Sequence, residues 1–513
     1  MGGIRNFWQS WKHIIFVGLG ILLLSFFLRI YDLTYLPIFG DEAIYIRWAQ
    51  VMRVEPTLRF IPLTDGKQPL FMWGVIPFLK VISNPLFAGR LLSVFTGLGT
   101  TLGVFVLTHL LFKDRKVALV ASLIYTISPF SVFFDRMALA DSSLTFFGVW
   151  TLVFSVITAK DLRLDSAMIA GFFLGGALLT KSPGIFFAIL LPASWILRKW
   201  PRNNRKKAVH LIKLIFLLLT IYFISLAMYN ILRLGPNFHM IGIRNKDYVY
   251  PLTHVIERPL DPLVPFLDRS LEWLWGLGPS VFVILVAAGL LLGFKEYRKE
   301  IILLSTWAFI PLIVSAEFAK VFTARYILFI FPYLVVLASI TFHNFKGSHT
   351  IIKLLFVIFI IHALWIDGLI LKNIEEAPLP RSERSGYLEE WTAGTGIKET
   401  ADLIREESIS KPDKKIVVDC VALPDGLQIY LNDLPEITVI GTGFNITEIP
   451  ISLVESKEAG NKTYFVVNST RLLADPEDLS LKLLAAYPKA VRPDGSRETL
   501  YFFEVTEESV KNL

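Results

Sequence analysis

The chain is poor in the residues that build soluble metal sites and cross-linked folds. It has one cysteine in 513 residues, Cys420, which excludes an internal disulfide framework and any cysteine-based metal centre. Its eight histidines show no ligand spacing, so a histidine-rich metal site is unsupported. Charged residues make up only 19% of the chain, there is no internal repeat, and no small-residue cleavage site follows the first apolar run. What is abundant is apolar: 54% hydrophobic residues with 41 phenylalanines, a composition that a water-soluble protein does not need. An integral membrane protein is the reading.

The first apolar run, about 14–36, is long enough to cross a bilayer and follows Arg5 and Lys12, as in a retained signal anchor. Further runs lie at about 87–111, 117–134, 142–158, 167–180, 183–197, 211–232, 280–294, 301–316, 326–342 and 351–371, which makes eleven. The stretch 69–82 is shorter and reads as interfacial or re-entrant. Basic residues alternate between the connecting loops: Lys113, Arg115 and Lys116, then Lys160 and Arg163, then Arg198 to Lys207, then Lys295 to Lys299, then Lys346. This bias puts those loops and the N-terminus in the cytoplasm of a plasma (inner) membrane protein. The net charge of +7 is explained by the same loops and points to anionic membrane lipid, with no nucleic acid partner.

After Leu371 charge, proline and glycine rise and no further span occurs. The expected division is a membrane domain, 1–375, with outer loops 37–86 and 233–279, and an extracytoplasmic domain, 376–513. In the tail, 396–408 has apolar residues at helical spacing, 415–423, 437–441, 464–468 and 499–505 are β-rich, and 478–487 reads as a helix. A small α/β layer domain follows.

Polar residues at the edges of the apolar runs carry the chemistry. A charge near lipid is expensive, roughly 2.5–3.5 kcal/mol at mid-membrane and less toward the interface, so such groups usually face a cavity. Asp41 and Glu42 follow the first run. One of them could act as a general base, or the pair could cap the helix that begins there. Arg136 could bind a phosphate or anchor at the interface, and Asp141 could cap the next span or hold a basic side chain. Lys67, Lys181 and Arg325, with Tyr326 beside it, sit singly at outer mouths, and Glu317 shares a short loop with Lys320. Together these cations would suit an anionic lipid headgroup.

In order along the chain stand PIFGDEAIY (37–45), GKQPLF (66–71), RMALADSSLTFF (136–147), LLTKSPG (178–184) and ARYILFIFP (324–332). This ordered set resembles the GT-C class of membrane glycosyltransferases, most nearly the protein O-mannosyltransferase and aminoarabinose-lipid A transferase branch. RSERSGYLEEWTAGTGIKE (381–399) resembles a segment of bacterial members. The resemblance implies a polytopic helical GT-C fold with a small C-terminal α/β domain. It also implies a polyprenyl-phosphate-linked sugar donor and inverting transfer at the outer face to a lipid, glycan or protein acceptor. Position by position, Asp41 matches the catalytic base and Glu42 its neighbour. Arg136 matches the donor-phosphate arginine, and Lys67 the His or Lys of the loop motif, with Arg325 an additional phosphate cation. Gln68 departs from the proline common in the family. No metal site is assigned. Two acids beside a phosphate could hold a divalent cation, which members of this branch do not all require. A lipid-linked sugar flippase would place charges within the spans near the midplane, and a polymerase or ligase would carry a large outer loop rich in Arg and His. Neither pattern dominates here.

Overall fold

A computed structural model describes residues 2–343 and 349–511, so Lys346 lies outside the described residues. The chain divides into two compact units. The first comprises Met1–Leu33, Glu55–Gly74 and Arg90–Pro380; the second comprises Thr34–Val54, Val75–Gly89 and Arg381–Leu513.

The first unit is helical. Among the described residues, seven helices are long and apolar enough to cross a membrane: Trp11–Ile30, Pro85–Phe112, Ala140–Asp161, Asn204–Leu234, Arg298–Phe318, Ala324–Phe342 and Thr350–Lys372. Leu263–Gly276 and Ser280–Gly293 would make an eighth if taken as one span, but they meet at a bend of 109°. The eleven apolar runs therefore do not all become long helices. The run 117–134 splits into Arg115–Ile127 and Pro129–Phe134, because the residue before a proline is pushed out of the helical region, and Ser128 is extended with ψ 122°. The runs around Lys181 form the shorter helices Leu164–Thr180 and Gly184–Leu190.

Local sequence explains several helix starts. Asp114 accepts from the Lys116 and Val117 N–H groups at 2.8 and 3.2 Å, and Asn203 accepts from Lys206 N–H at 3.3 Å. On the helix Asn204–Tyr229, Ile212, Phe216, Leu219, Phe223 and Leu226 are all exposed at steps of three and four. Such a stripe left uncovered is the face expected against lipid.

The second unit contains a five-stranded sheet. Its strands are β1 (Ile416–Cys420), β2 (Ile437–Ile440), β3 (Lys462–Asn468), β4 (Lys482–Val491) and β5 (Arg497–Glu504), in the order β2-β1-β3-β5-β4. β1 pairs in parallel with β2 and β3, and the β3–β5 and β5–β4 pairs are antiparallel. The parallel pairs need crossovers, and the helices Pro424–Leu431 and Ile451–Glu458 supply them. One face of the sheet closes over Val421, Ile449, Leu453, Phe465, Val467 and Phe503. The helix expected over 478–487 is absent: Lys482–Val491 is an edge strand on β5. Lys-Leu-Leu-Ala-Ala has good helix formers, yet pairing with the aromatic β5 overrides that preference. Pro488 is tolerated because the strand lies at the sheet edge, beside a register shift.

The helix Gly40–Val54 is built into this same unit. Gln50 Nε2 donates to the Ile429 carbonyl at 2.9 Å, and Arg47 bonds Asn432. Gly40 N–H donates to the Thr392 carbonyl at 3.0 Å, Phe39 bridges Ala393, and the Phe39 and Tyr387 rings lie 4.3 Å apart. Gly394 permits this approach, since a Cβ there would lie 2.2 Å from the Ile38 carbonyl oxygen.

Candidate active site

The first unit gathers four cations around two linked loops. Asp65 Oδ1 accepts from Arg244 Nε and Nη2 at 3.0 and 2.6 Å, while its Oδ2 meets Lys67 Nζ at 3.2 Å. Arg244 Nη1 reaches Asp247 at 2.7 Å. Gln68 Nε2 donates to Ser182 Oγ at 3.0 Å, fastening the Lys67 loop to the Lys181 turn. Lys181 Nζ pairs with Asp141 Oδ1 at 2.6 Å and lies 4.4 Å from the centre of the Tyr326 ring. The Arg325 guanidinium lies 5.3 Å from the same ring.

Gly66 is what allows the Lys67 loop to turn. It closes the helical turn Ile61–Asp65 with φ +68°, donating its N–H toward the Leu63 and Pro62 carbonyls. A Cβ at that position would lie 2.6 Å from Arg244 Cβ. The loop and the arginine are therefore fitted to each other.

Asp141 is not a helix cap. The helix Ala140–Asp161 has Leu139 at its N-cap with no side-chain hydrogen bond, and the Asp141 carboxylate holds Lys181. Glu317 is buried, and neither of its carboxylate oxygens has a hydrogen-bond partner among the described residues. It sits just before the strip Phe318–Lys320, where Tyr250 N–H donates to the Phe318 carbonyl at 2.7 Å and Lys320 N–H to the Tyr248 carbonyl at 2.8 Å. Two buried acceptors of that kind suit hydroxyl donors.

Arg136 lies elsewhere in the same unit. It is buried, and its guanidinium donates to the carbonyls of Leu28, Arg29, Tyr31 and Asp32 at 2.8–3.1 Å. These are the orphan acceptors at the end of the first helix, where a cation is favourable. Beside it, Arg29 and Asp135 form an ion pair at 3.0 Å with both side chains fully buried. Tyr125 and Ser142 hydroxyls complete the carboxylate at 3.1 and 2.6 Å. The phosphate-binding expectation for Arg136 thus meets a side chain with four backbone partners.

In the second unit, the acid pair opens the helix Gly40–Val54. Glu42 is buried and accepts from the Phe39 N–H at 3.0 Å, reaching back across the first turn as in a capping box. Asp41 is half-buried in that first turn. The two acids therefore differ: Glu42 holds the helix start, and Asp41 keeps part of its surface toward solvent.

Sequence reasoning missed Arg244, Asp65 and Tyr248, whose ring centre lies 6.0 Å from Lys67 Nζ. Arg244 lies on the helix Met240–Tyr248, within a long connection without a motif, 179 residues from Asp65. The only available signal was Asp65-Gly66 directly before Lys67. Among the described residues no group of three or more His, Cys, Asp or Glu side chains is placed to hold a metal ion.

Residues 66–225 match the sequence profile of the dolichyl-phosphate-mannose-protein mannosyltransferases. The fold resembles ArnT from Cupriavidus metallidurans in the apo state, with TM-score 0.58, 13% identity, and coverage of 98% of this chain and 99% of that one. It has an ArnT-like GT-C fold. ArnT bound to undecaprenyl phosphate matches with TM-score 0.53, 14% identity, and 96% and 98% coverage. AglB, an archaeal oligosaccharyltransferase from Archaeoglobus fulgidus in complex with an inhibitory peptide and a dolichol-phosphate, matches with TM-score 0.50 and 12% identity, over 98% of this chain and 75% of that one. No curated protein sequence matches the chain. The expectation of a polytopic helical GT-C protein with a small C-terminal sheet domain agrees with these findings.

Proposed function

We propose that this protein transfers a sugar from a polyprenyl-phosphate donor to an acceptor hydroxyl or amine at the outer face of the plasma membrane. The observation that carries the reading is the cluster Lys67, Arg244, Lys181 and Arg325, tied together by Asp65, Asp141, Tyr326 and the Gln68–Ser182 bond. A cluster of four cations beside the carboxylates of Asp65, Asp141 and Asp247 suits an anionic ligand. A lipid phosphate is that kind of anion, and its apolar tail obliges the site to stay at the membrane.

The chemistry needs two further things. As the bond between the anomeric carbon and the phosphate oxygen breaks, its electron pair stays on the phosphate, and fixed cations stabilise that charge. A base takes the proton from the acceptor as its oxygen or nitrogen bonds to the anomeric carbon from the opposite side, with inversion. We assign the base to Asp41, and to Glu42 the task of holding the helix that carries it. The buried oxygens of Glu317 are suited to hydroxyls of the donor sugar. Arg136 is assigned to the end of the first helix, because four carbonyls occupy it. Positive residues at Lys113–Lys116, Lys160–Arg163 and Arg198–Lys207 support a cytoplasmic N-terminus and an extracytoplasmic tail.

The test is mass spectrometry of polyprenyl-phosphate sugars and surface glycans in the host with and without the gene. Loss of the gene should leave the lipid-linked sugar to accumulate and remove one glycan modification. Identical profiles in both strains would contradict the reading. A reporter fused after the tail should work only outside the cytoplasm.

A further inference from the structure

The second unit contains a cleft of ≈ 630 Å³ lined by Arg381, Glu390, Thr470, Arg471, Arg492 and Asp494, of which Arg381 and Glu390 belong to the segment 381–399. Glu498 on β5, which is fully buried, holds two of these lining residues. One Glu498 oxygen accepts from the Thr470 N–H and hydroxyl at 3.2 and 2.5 Å, and the other from Arg492 Nη2 at 2.5 Å. Arg492 also pairs with Glu390 at 3.1 Å, and Arg381 with the buried Glu389. Two of the three arginines are thereby matched by carboxylates.

Arg471 is treated differently. Its guanidinium lies 5.2 Å from the centre of the Trp391 ring and 5.4 Å from that of Phe444, and the two rings meet nearly edge-on. Pairing of Ile446 N–H with the Arg471 carbonyl at 2.8 Å, and of Leu473 N–H with the Ile446 carbonyl at 2.8 Å, fixes this arrangement. Nη1 donates to the neutral Asn445 Oδ1 at 3.3 Å. Nε is buried with no hydrogen-bond partner, and no carboxylate pairs with Arg471 among the described residues. Aromatic rings on a guanidinium leave its in-plane edge for an oxyanion, the geometry that favours carboxylate or phosphate. Phe444 is 54% exposed, so it also offers an apolar ring on which the C–H face of a sugar can rest.

We propose that this cleft binds an anionic saccharide, with its carboxylate or phosphate on Arg471 and its ring against Phe444. This rests on the glycosyltransferase reading and deepens it: the tail would recognise an acidic acceptor glycan. The same oxyanion could come from a lipid headgroup, and the test separates the two sources.

Binding of an oligogalacturonate, a phosphorylated oligosaccharide and a neutral oligosaccharide of equal length would be measured on the full chain in phosphatidylcholine nanodiscs. At least one acidic probe should bind about tenfold or more tightly than the neutral one, the scale of a lost charged hydrogen bond. Arg471→Gln should remove that preference, and Arg471→Lys should restore part of it. Phe444→Ala, at an exposed position, should weaken acidic and neutral probes alike, and keeps the test open if Arg471→Gln fails to fold. Equal binding of acidic and neutral probes, or an unchanged preference in Arg471→Gln, would overturn the proposal. So would Arg471-dependent binding seen only to phosphatidylglycerol nanodiscs, which would mark a lipid headgroup instead. Binding of polyprenyl phosphate is measured in parallel. Its loss with the acidic preference intact would count against the donor reading and not against this cleft.

Discussion

The two units position the charges proposed for donor binding and for the base by opposite means. In the first, carboxylates serve cations: Asp65 holds Arg244 and Lys67, Asp141 holds Lys181, and Asp135 holds Arg29. In the second, backbone and packing serve the acids. Glu42 is fixed by a main-chain N–H, and the helix bearing Asp41 is pinned by Thr392, Ile429 and the Phe39–Tyr387 ring contact. Ion pairs set a cluster against a negative ligand. A helix start stitched to a folded domain holds one carboxylate in a fixed, half-buried place. On the proposed reading, donor binding and base function depend on separate parts of the chain.

The largest expected effect breaks that comparison from one side. Deleting residues 381–513 removes Thr392, Ile429 and Tyr387, and with them the support of the helix Gly40–Val54. Turnover should fall below detection while binding of polyprenyl phosphate persists, as read by lipid binding to the purified truncated chain. A truncated chain that still turns over would show that the helix does not need the domain.

Next comes Arg136. If it caps the first helix, Arg136→Ala should leave buried carbonyls unpaired and lower thermal stability by about 3 kcal/mol or more. Donor affinity of the folded fraction should change less than about twofold. A large loss of donor affinity in a stable Arg136→Ala protein would return the residue to the phosphate.

Much of this was legible in the sequence. The apolar runs, the charge alternation and the helix after Asp41 follow from periodicity, and Lys67, Lys181, Asp141, Arg325 and Tyr326 were marked by lying at the ends of those runs. Arg136 carried the same mark, yet its side chain turns to helix-end carbonyls, and no local pattern records where a long side chain goes. Arg244 was illegible because its role is created by distant pairing with Asp65. The strand Lys482–Val491 was misread because its residues favour a helix until β5 supplies a partner.

A smaller effect sharpens the account of the second unit alone. Burial on β1 raises the Asp419 carboxyl to about 6, against the opposing hydrogen bond from Thr442 N–H at 3.1 Å. A carboxyl raised on folding binds protons more tightly in the folded state, so this group's contribution falls as pH rises from about 4 through 6. Acidifying from pH 7 to 5 should therefore recover part of about 2–3 kcal/mol in this unit. Asp419→Asn should abolish that portion of the pH dependence in thermal unfolding. An unchanged profile would mean that Asp419 does not titrate there.

The most direct test of the division between the units is a crossed measurement on two full-length variants. Asp41→Asn should bind polyprenyl phosphate as the parent does, within about twofold, while turnover falls about a thousandfold. The double variant Lys181→Met with Arg244→Met should bind it about tenfold to a hundredfold more weakly, the scale of one or two lost charged hydrogen bonds. Donor affinity lost in Asp41→Asn, or retained in the double variant, would contradict the account.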